Sequence, residues 1–507
     1  MRIRLTRTLT ALTLSVGLAA STAALPSVPV LMSENVELVG AFPEAGIVSV
    51  TFDPEKPIAY GTGVPGVVVF DVSDPLRPLP IGRLALGNFS HENVKLGVRE
   101  DGTRIILIGV ELAGAPTTPP AANTGNRFYV VDVTDPRAPR LASSARPNSF
   151  AHTMFCADRG CTHAYNSGAK TFDIWDLTDI TAPKLVKTFS HPVLSQGNAT
   201  FSGGDGHDWD LDAAGVAWLS GAHGITAFDV SDPANPKVMN SGNFRAKSGE
   251  FNKYIIHNSQ RPGADAFTSR PADEVHPYAR TGAPNAGVEA RADVEQAGLR
   301  AGEVVFVTEE DISTNQQGRC TKRGGFQAWH VQQLDADVYA TDTNPDAKPF
   351  SGTITPIGKW TTEANDVDDP LTTSDVAALC SAHYFDVHSE QAIVAQAWYS
   401  QGIRFLDARD PTRITQLGYY ITGGQEAFGA KWVPEYVDGR QTGRDTDLVY
   451  TEDPARGIEI LRVTLPEEGE DSVPVRAPVL PEWFARAAAL TEDDLVPGYG
   501  YACRLAG

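Results

Sequence analysis

The phrase FDVSDPLRP, residues 70–78, is written again as VDVTDPRAP at 131–139, WDLTDITAP at 175–183, FDVSDPANP at 228–236 and LDARDPTRI at 406–414. Each copy closes a β-branched, alternating segment such as VVVFDV or RFYVVDV, which reads as a strand. The Asp-Pro step and later proline of most copies then force a turn, and the Ser, Thr and Asp side chains can bond to its backbone. A further short strand follows: LPIGRLAL at 79–86, RLASSA at 140–145, KLVKTF at 184–189 and KVMNSGNF at 237–244. Upstream, the stretches at 91–109, 152–168 and 207–221 each read as strand, Asp/Gly turn, strand. The unit is therefore four antiparallel strands recurring roughly every 45 to 60 residues, the period of a propeller blade.

Seven such units fit, over 43–86, 87–146, 147–190, 200–244, 250–362, 378–422 and 426–463. The fifth carries a long insertion: its first strand lies near YIIHNS, a polar Pro/Ala/Gly stretch from Arg261 to Gly302 is a surface excursion, and strands resume at EVVFVTEED and GGFQAWHVQQL. The seventh ends after its third strand, GIEILRV. NVELVGAF at 35–42 resembles a fourth strand but precedes the first unit, so pairing the two closes the ring and removes an exposed sheet edge. The expected fold is all-β, a seven-bladed β-propeller over 35–465 closed by an N-terminal strand. An acidic, Pro-rich tail follows over 466–507, with a short helix at PEWFARAAAL.

The repeats resemble those of the LVIVD-repeat proteins, exported β-propellers whose unit is a strand, a V-D-V-S-D-P-x-x-P turn and another strand. FDVSDPLRP, VDVTDPRAP, FDVSDPANP and HYFDVHSEQAIVAQAWYSQGIRFLDARDP carry the resemblance, which covers about 35 to 465. It implies a fold and no single reaction. The fifth unit lacks the phrase, and the seventh reads TEDPARGIEILRVTL without the turn that should follow.

At 507 residues and 42% hydrophobic composition the chain can bury a large core, and a formal net charge of -21 argues against a nucleic-acid partner. The start, MRIRLTR followed by TLTALTLSVGLAASTAA, has the layout of a secretory signal peptide over 1–24 with cleavage near Ala24. No later run is long and apolar enough for a transmembrane segment, so the expected location is secreted or extracytoplasmic. Cys156 and Cys161 flank a four-residue stretch and suit a local disulfide, and Cys320 with Cys380 is the second candidate pair. Cys503 is left over, or pairs with one of the others.

In a propeller the innermost strand starts, and the second strand ends, on one face, while the repeated turn lies on the other. The repeated phrase is thus structural. His91, His152, His207, His257 and His383, five of the eleven histidines, stand near the start of the innermost strand of successive units. Glu309, Glu310, Asp311, Glu452 and Asp453 end second strands on the same face. Imidazoles and carboxylates converging on one channel mouth suit zinc, copper or another transition ion. The competing reading makes each histidine a hydrogen-bonding residue of its own blade junction. His388 falls too far along its strand to count, and His223 follows a second strand and can reach the same mouth.

Other short patterns fail on context. GTGVPG at 61–66 joins two strands and opens no helix, so it is a hairpin loop. DWDLD at 208–212 evokes a calcium loop, but Ala213 stands where a sharp turn wants glycine and Leu219 offers no carboxylate. No G-x-S-x-G, H-E-x-x-H or Walker sequence occurs. Two functions follow: a propeller scaffold that binds an unidentified ligand or protein partner through its top face, or a metal-dependent enzyme, such as an oxidoreductase, using the mouth histidines and acids.

Overall fold

The computed structural model describes residues 30–42, 46–86, 92–110, 126–198, 205–243, 251–262, 303–311, 324–331, 334, 354–363, 381–422, 426–467 and 472–475. Seven antiparallel sheets form a seven-bladed β-propeller, and the strands of each blade, lettered A to D, run in order outward from the axis. Strand A is Ile47–Phe52 in blade one, Lys95–Val98 in two, Met154–Cys156 in three, Gly206–Leu211 in four, Ile255–Gln260 in five, Phe385–Val387 in six and Gly429–Val437 in seven. The fifth blade, with strands Ile255–Gln260, Val304–Glu310, Phe326–Val331 and Ile354–Trp360, spans the insertion where expected. The only helical element among the described residues is a 3-10 turn, Pro192–Ser195, and no helix there is long and apolar enough to cross a membrane.

Closure follows the expected route. Val36–Phe42 is strand D of blade seven, pairing antiparallel with Ile458–Val463 in the register Val36 opposite Val463 and Phe42 opposite Ile458. The sequence reading gives four strands to every blade, but blade six has a fifth. Val30–Met32 adds to the outer edge of Thr415–Thr422 on the way to the closing strand. Asn35 Nδ2 then donates to the Leu417 carbonyl at 2.9 Å, anchoring the crossing from blade six to blade seven. The hydrophobic core is likewise divided. One apolar cluster fills each of the seven interfaces between neighbouring blades, and Ile47, Phe70, Tyr450 and Ile460 sit in the one that joins the last blade to the first.

The repeated phrase has two jobs in this arrangement. Both of its aspartates accept from the backbone N–H two residues on, at 2.8 to 3.2 Å, in all five copies. These bonds fix the C-to-D turn; hydrogen bonds from the side chains and then the backbone of Thr178 and Thr181 hold Asp176 and Asp179 below the usual carboxylate range, and those from the Ser231 backbone and side chain do the same for Asp229. The turn is also gripped by the preceding blade. Tyr165 of blade three donates to the Pro233 carbonyl of blade four at 2.6 Å, and Tyr450 of blade seven does the same to Pro75 of blade one. Ser143 Oγ of blade two donates to Ile180 O of blade three at 2.5 Å. Where no hydroxyl reaches across, strand D approaches so closely that only glycine fits. A Cβ on Gly82 would lie 2.1 Å from Pro136 O, and one on Gly358 would lie 1.8 Å from Pro411 O.

The remaining local readings resolve in the same terms. GTGVPG is the hairpin between Ile58–Gly63 and Gly66–Asp71, with Gly66 at φ +91°. DWDLD lies along strand A of blade four, and Asp212 accepts from Ala214 N, Val216 N and Trp218 Nε1 at 2.9 to 3.0 Å, so it anchors the A-to-B turn. Cys156 and Cys161 form a disulfide across the A-to-B hairpin of blade three. The signal peptide, Cys320, Cys380, Cys503, the helix at 481–490 and residues 263–302 of the excursion lie outside the described residues.

These latches predict an order of effects in urea unfolding. Tyr165→Phe removes one hydrogen bond and should cost about 1 kcal/mol. Gly82→Ala drives a Cβ into a backbone carbonyl that cannot rotate away, and should cost more than Tyr165→Phe. Equal or inverted losses would contradict this account of the turn.

Candidate metal centre

Five consecutive blades deliver one polar side chain each to the axis, at or just before strand A. They are Glu92 from blade two, His152 from three, His207 from four, His257 from five and His383 from six. Glu310, the last residue of strand B in blade five, joins them. Their ligand atoms form three overlapping sets: Glu92, His257 and His383; Glu92, His152 and His207; His207, His257 and Glu310. Within each set the atoms lie within 4.8 Å of one another. All six residues are buried.

Local backbone geometry explains the aim. In blades four and five the A–B register shifts by one residue between Gly206 and Asp208 and between Ile256 and Asn258, so His207 and His257 are the bulged residues. A bulge re-aims a side chain that regular pleating would send into an inter-blade core. The rings then pack as a chain around the axis, with centroids 4.3 Å apart for His152 and His207, 4.0 Å for His207 and His257, and 4.0 Å for His257 and His383.

Backbone carbonyls orient two of the rings. His207 Nδ1 lies 2.9 Å from His257 O and His383 Nδ1 lies 2.6 Å from Phe428 O. A carbonyl only accepts, so both Nδ1 atoms carry protons; His207 Nε2 then offers a lone pair, whereas His383 Nε2 is bonded to the Glu92 carboxylate and would have to release its proton to bind an ion. Glu92 sits among the imidazoles, with Oε2 3.0 Å from His383 Nε2 and 3.9 Å from His257 Nε2, and Oε1 3.4 Å from His152 Nε2. Glu310 Oε1 accepts from the Tyr399 hydroxyl, while Glu310 Oε2 is 4.0 Å from His257 Nε2.

The electrostatics match this layout. Burial, then the neighbouring rings, push His207 and His257 well below the ordinary imidazole range, so both are neutral lone-pair donors at neutral pH. Burial works against charge on His383 as well, but the Glu92 carboxylate and its hydrogen bond outweigh it and raise that group. Burial lifts Glu310 to about 7. His207 Nε2 and Glu310 Oε2 are buried and make no hydrogen bond among the described residues. A buried, neutral imidazole nitrogen without a hydrogen bond, set close to a carboxylate oxygen, is the kind of pair that a cation can bridge.

Of the sequence-selected residues, His152, His207, His257 and His383 are brought together. His91 lies outside the described residues; its neighbour Glu92 holds the blade-two place. Glu309 does not join the group. Side chains alternate along a strand, so Glu309 and Glu310 face opposite ways. Glu309 Oε1 accepts from Lys253 N at 2.5 Å and Tyr254 N at 3.2 Å, which anchors the loop before strand A of blade five. Asp311 lies past the strand, where its N–H donates to Ser381 Oγ at 2.9 Å. Glu452 Oε1 accepts from Val50 N at 2.6 Å, a stitch between blades seven and one, and Asp453 binds the backbone N–H groups of Glu426, Ala455 and Arg456. His223 is buried in the B-to-C turn of blade four, where burial lowers it to about 4, and it belongs to none of the three sets. His388 stands in the A-to-B turn of blade six against Trp432, as its position along the chain suggested.

Glu92, Tyr399 and Tyr384 escaped the sequence reading. The signal for Glu92 was present in HEN at 91–93, since Glu92 is closer than His91 to the strand that follows. Tyr399, at φ +36°, and Tyr384 pack against His383 at 4.7 and 4.9 Å. No periodicity in the chain marks them.

No protein-family model matches the chain, and no curated protein matches it. Among solved structures, the β-propeller domain of Cps50 (Swd1) from Myceliophteria thermophila is similar at 12% identity and a TM-score of 0.48, covering 85% of this chain and 100% of that one. Likeness at this level carries no argument about the site.

Buried acids near the mouth set a pH dependence. Burial raises Glu426 to about 8 and Asp453 and Glu452 to about 7. A carboxyl whose folded value exceeds its unfolded value stabilises the fold while protonated, and that contribution is lost as pH rises through the folded value. The metal-free protein should therefore show a falling thermal midpoint between about pH 7.5 and 8.5, above the unfolded imidazole range, where the lowered histidines are neutral in both states. A midpoint that rises over this interval in calorimetry would contradict the assignment.

Proposed function

We propose that this protein is an exported propeller of the LVIVD-repeat kind that holds one transition-metal ion on its axis. The turn phrases and their inter-blade latches support the LVIVD reading, and the basic start with its apolar run supports export. The observation that carries the metal reading is the convergence of four imidazoles from four successive blades, with Glu92 among them and His207 Nε2 left without a hydrogen bond. A scaffold that binds a protein partner needs the propeller but gives these rings no role.

Each set joins two imidazoles to one carboxylate: His152 and His207 with Glu92 would hold the ion, with His257, His383 and Glu310 bordering it through the overlapping sets. Imidazole-rich sets suit zinc, copper, iron or nickel. Such an ion supplies Lewis-acid or redox chemistry when bound. The protein's own contribution is to keep two rings fixed by carbonyls, to keep His207 and His257 neutral, and to exclude water by burial.

Elemental analysis of the full chain, purified without an affinity tag, should find about one tightly held transition ion per molecule, as a preformed site requires. His152→Ala and His207→Ala should each abolish that same ion. If the wild type stays metal-free after incubation with zinc, copper and ferrous iron, the proposal fails. It also fails if both variants keep the ion and only lose stability by about 1–3 kcal/mol, the cost of unsatisfied partners.

A further inference from the structure

The six polar groups leave one side of the axis unaccounted for. Blades one and seven supply the places equivalent to Glu92 and the four histidines. In blade one the A–B register shifts between Ile47 and Ser49, the same bulge that aims His207 and His257, and the bulged residue is Val48. In blade seven the place belongs to Phe428, directly before strand A; its carbonyl holds His383 Nδ1 as the His257 carbonyl holds His207 Nδ1. Around the axis the seven places therefore read Val48, Glu92, His152, His207, His257, His383, Phe428. Because blade seven closes on blade one, the two apolar residues are neighbours and form a continuous arc facing the imidazoles.

Val48 is 0% exposed and Phe428 1%, yet neither belongs to any of the seven inter-blade cores, although Ile47 and Val50 beside Val48 and Ala427 and Ala430 beside Phe428 do. Their buried apolar surface is turned to the axis. Tyr399 extends the arc. Its backbone is held at φ +36°, an outlying value for an aromatic residue, by paired bonds with Ala427 at 3.1 and 3.2 Å. That conformation lays its ring 4.7 Å from His383 and 5.7 Å from Phe428.

We infer that the open side of the ion is this apolar arc of Val48, Phe428 and Tyr399, and that it admits a small uncharged ligand of the size of a diatomic gas in preference to an anion. The inference rests on the metal reading. The surrounding residues are closed to solvent, so little space is available. An anion would lose its hydration and approach Glu92 and Glu310, whereas an uncharged molecule pays neither cost.

Full-length protein loaded anaerobically with ferrous iron and assayed for iron content is exposed to nitric oxide, the neutral diatomic probe, and followed by electron paramagnetic resonance. A half-integer-spin signal in proportion to bound iron is expected, and a large excess of azide should leave it in place. Val48→Phe, which fills the arc, should keep its iron and lose the signal. Val48→Ile, a milder change within the same fold, should keep its iron and bind nitric oxide more weakly. Iron bound with no signal, displacement by azide, or unchanged nitric oxide binding in iron-loaded Val48→Ile would each overturn the inference while leaving the metal site intact. Absence of bound iron, zinc or copper in the wild type would overturn both.

Discussion

Everything at the axis depends on the ring being closed. Val36–Phe42 pairs with Ile458–Val463, so the last sheet is completed by a strand from the other end of the chain. With that pairing, each inter-blade core has two walls, including the one that joins Tyr450 and Ile460 to Ile47 and Phe70. Strand A of every blade then faces a common line. An open stack of the same sheets would leave one apolar face and one sheet edge uncovered, and would spread the rings of His152, His207, His257 and His383 along a spiral. The closing strand is also where the chain gains its extra edge strand, Val30–Met32, which ties the entry to blade six before blade seven is completed.

Two devices keep the circle rigid, and they act at opposite faces. On the bottom, each repeated turn is shaped by its own aspartates and gripped by the blade before it, through a tyrosine or serine hydroxyl or through a glycine that permits backbone contact. On the top, bulges and carbonyl hydrogen bonds aim side chains inward. The bottom device repeats at the five interfaces whose following blade carries the phrase. The top positions are free to vary, since a bulge aims whatever residue occupies it, as it does Val48, His207 and His257 in one backbone arrangement.

Polar groups gathered in this way strain the fold electrostatically. Glu310, Glu426, Glu452 and Asp453 are all raised by burial, while His207 and His257 are lowered. Several of these groups are satisfied by backbone N–H groups, as Glu452 is by Val50 and Asp453 is by Glu426. Among the described residues His207 Nε2 and Glu310 Oε2 make no hydrogen bond.

The chain by itself determined the architecture, because the evidence for it is local and repeated. FDVSDPLRP and its copies mark turns, alternation marks strands, and the count of units with a spare strand at 35–42 requires closure. It also determined that His152, His207, His257 and His383 occupy matching places, since equivalent positions in a repeat become neighbours around an axis. Only the tertiary structure decided which carboxylates accompany them. One step along a strand reverses a side chain's direction, so Glu309 serves a loop while Glu310 faces the axis, and Glu92 stands at the blade-two place. The apolar arc was equally hidden. Val48 and Phe428 look like ordinary core residues in the sequence, and they differ from their neighbours only through a bulge and a carbonyl contact that exist once the blades are assembled.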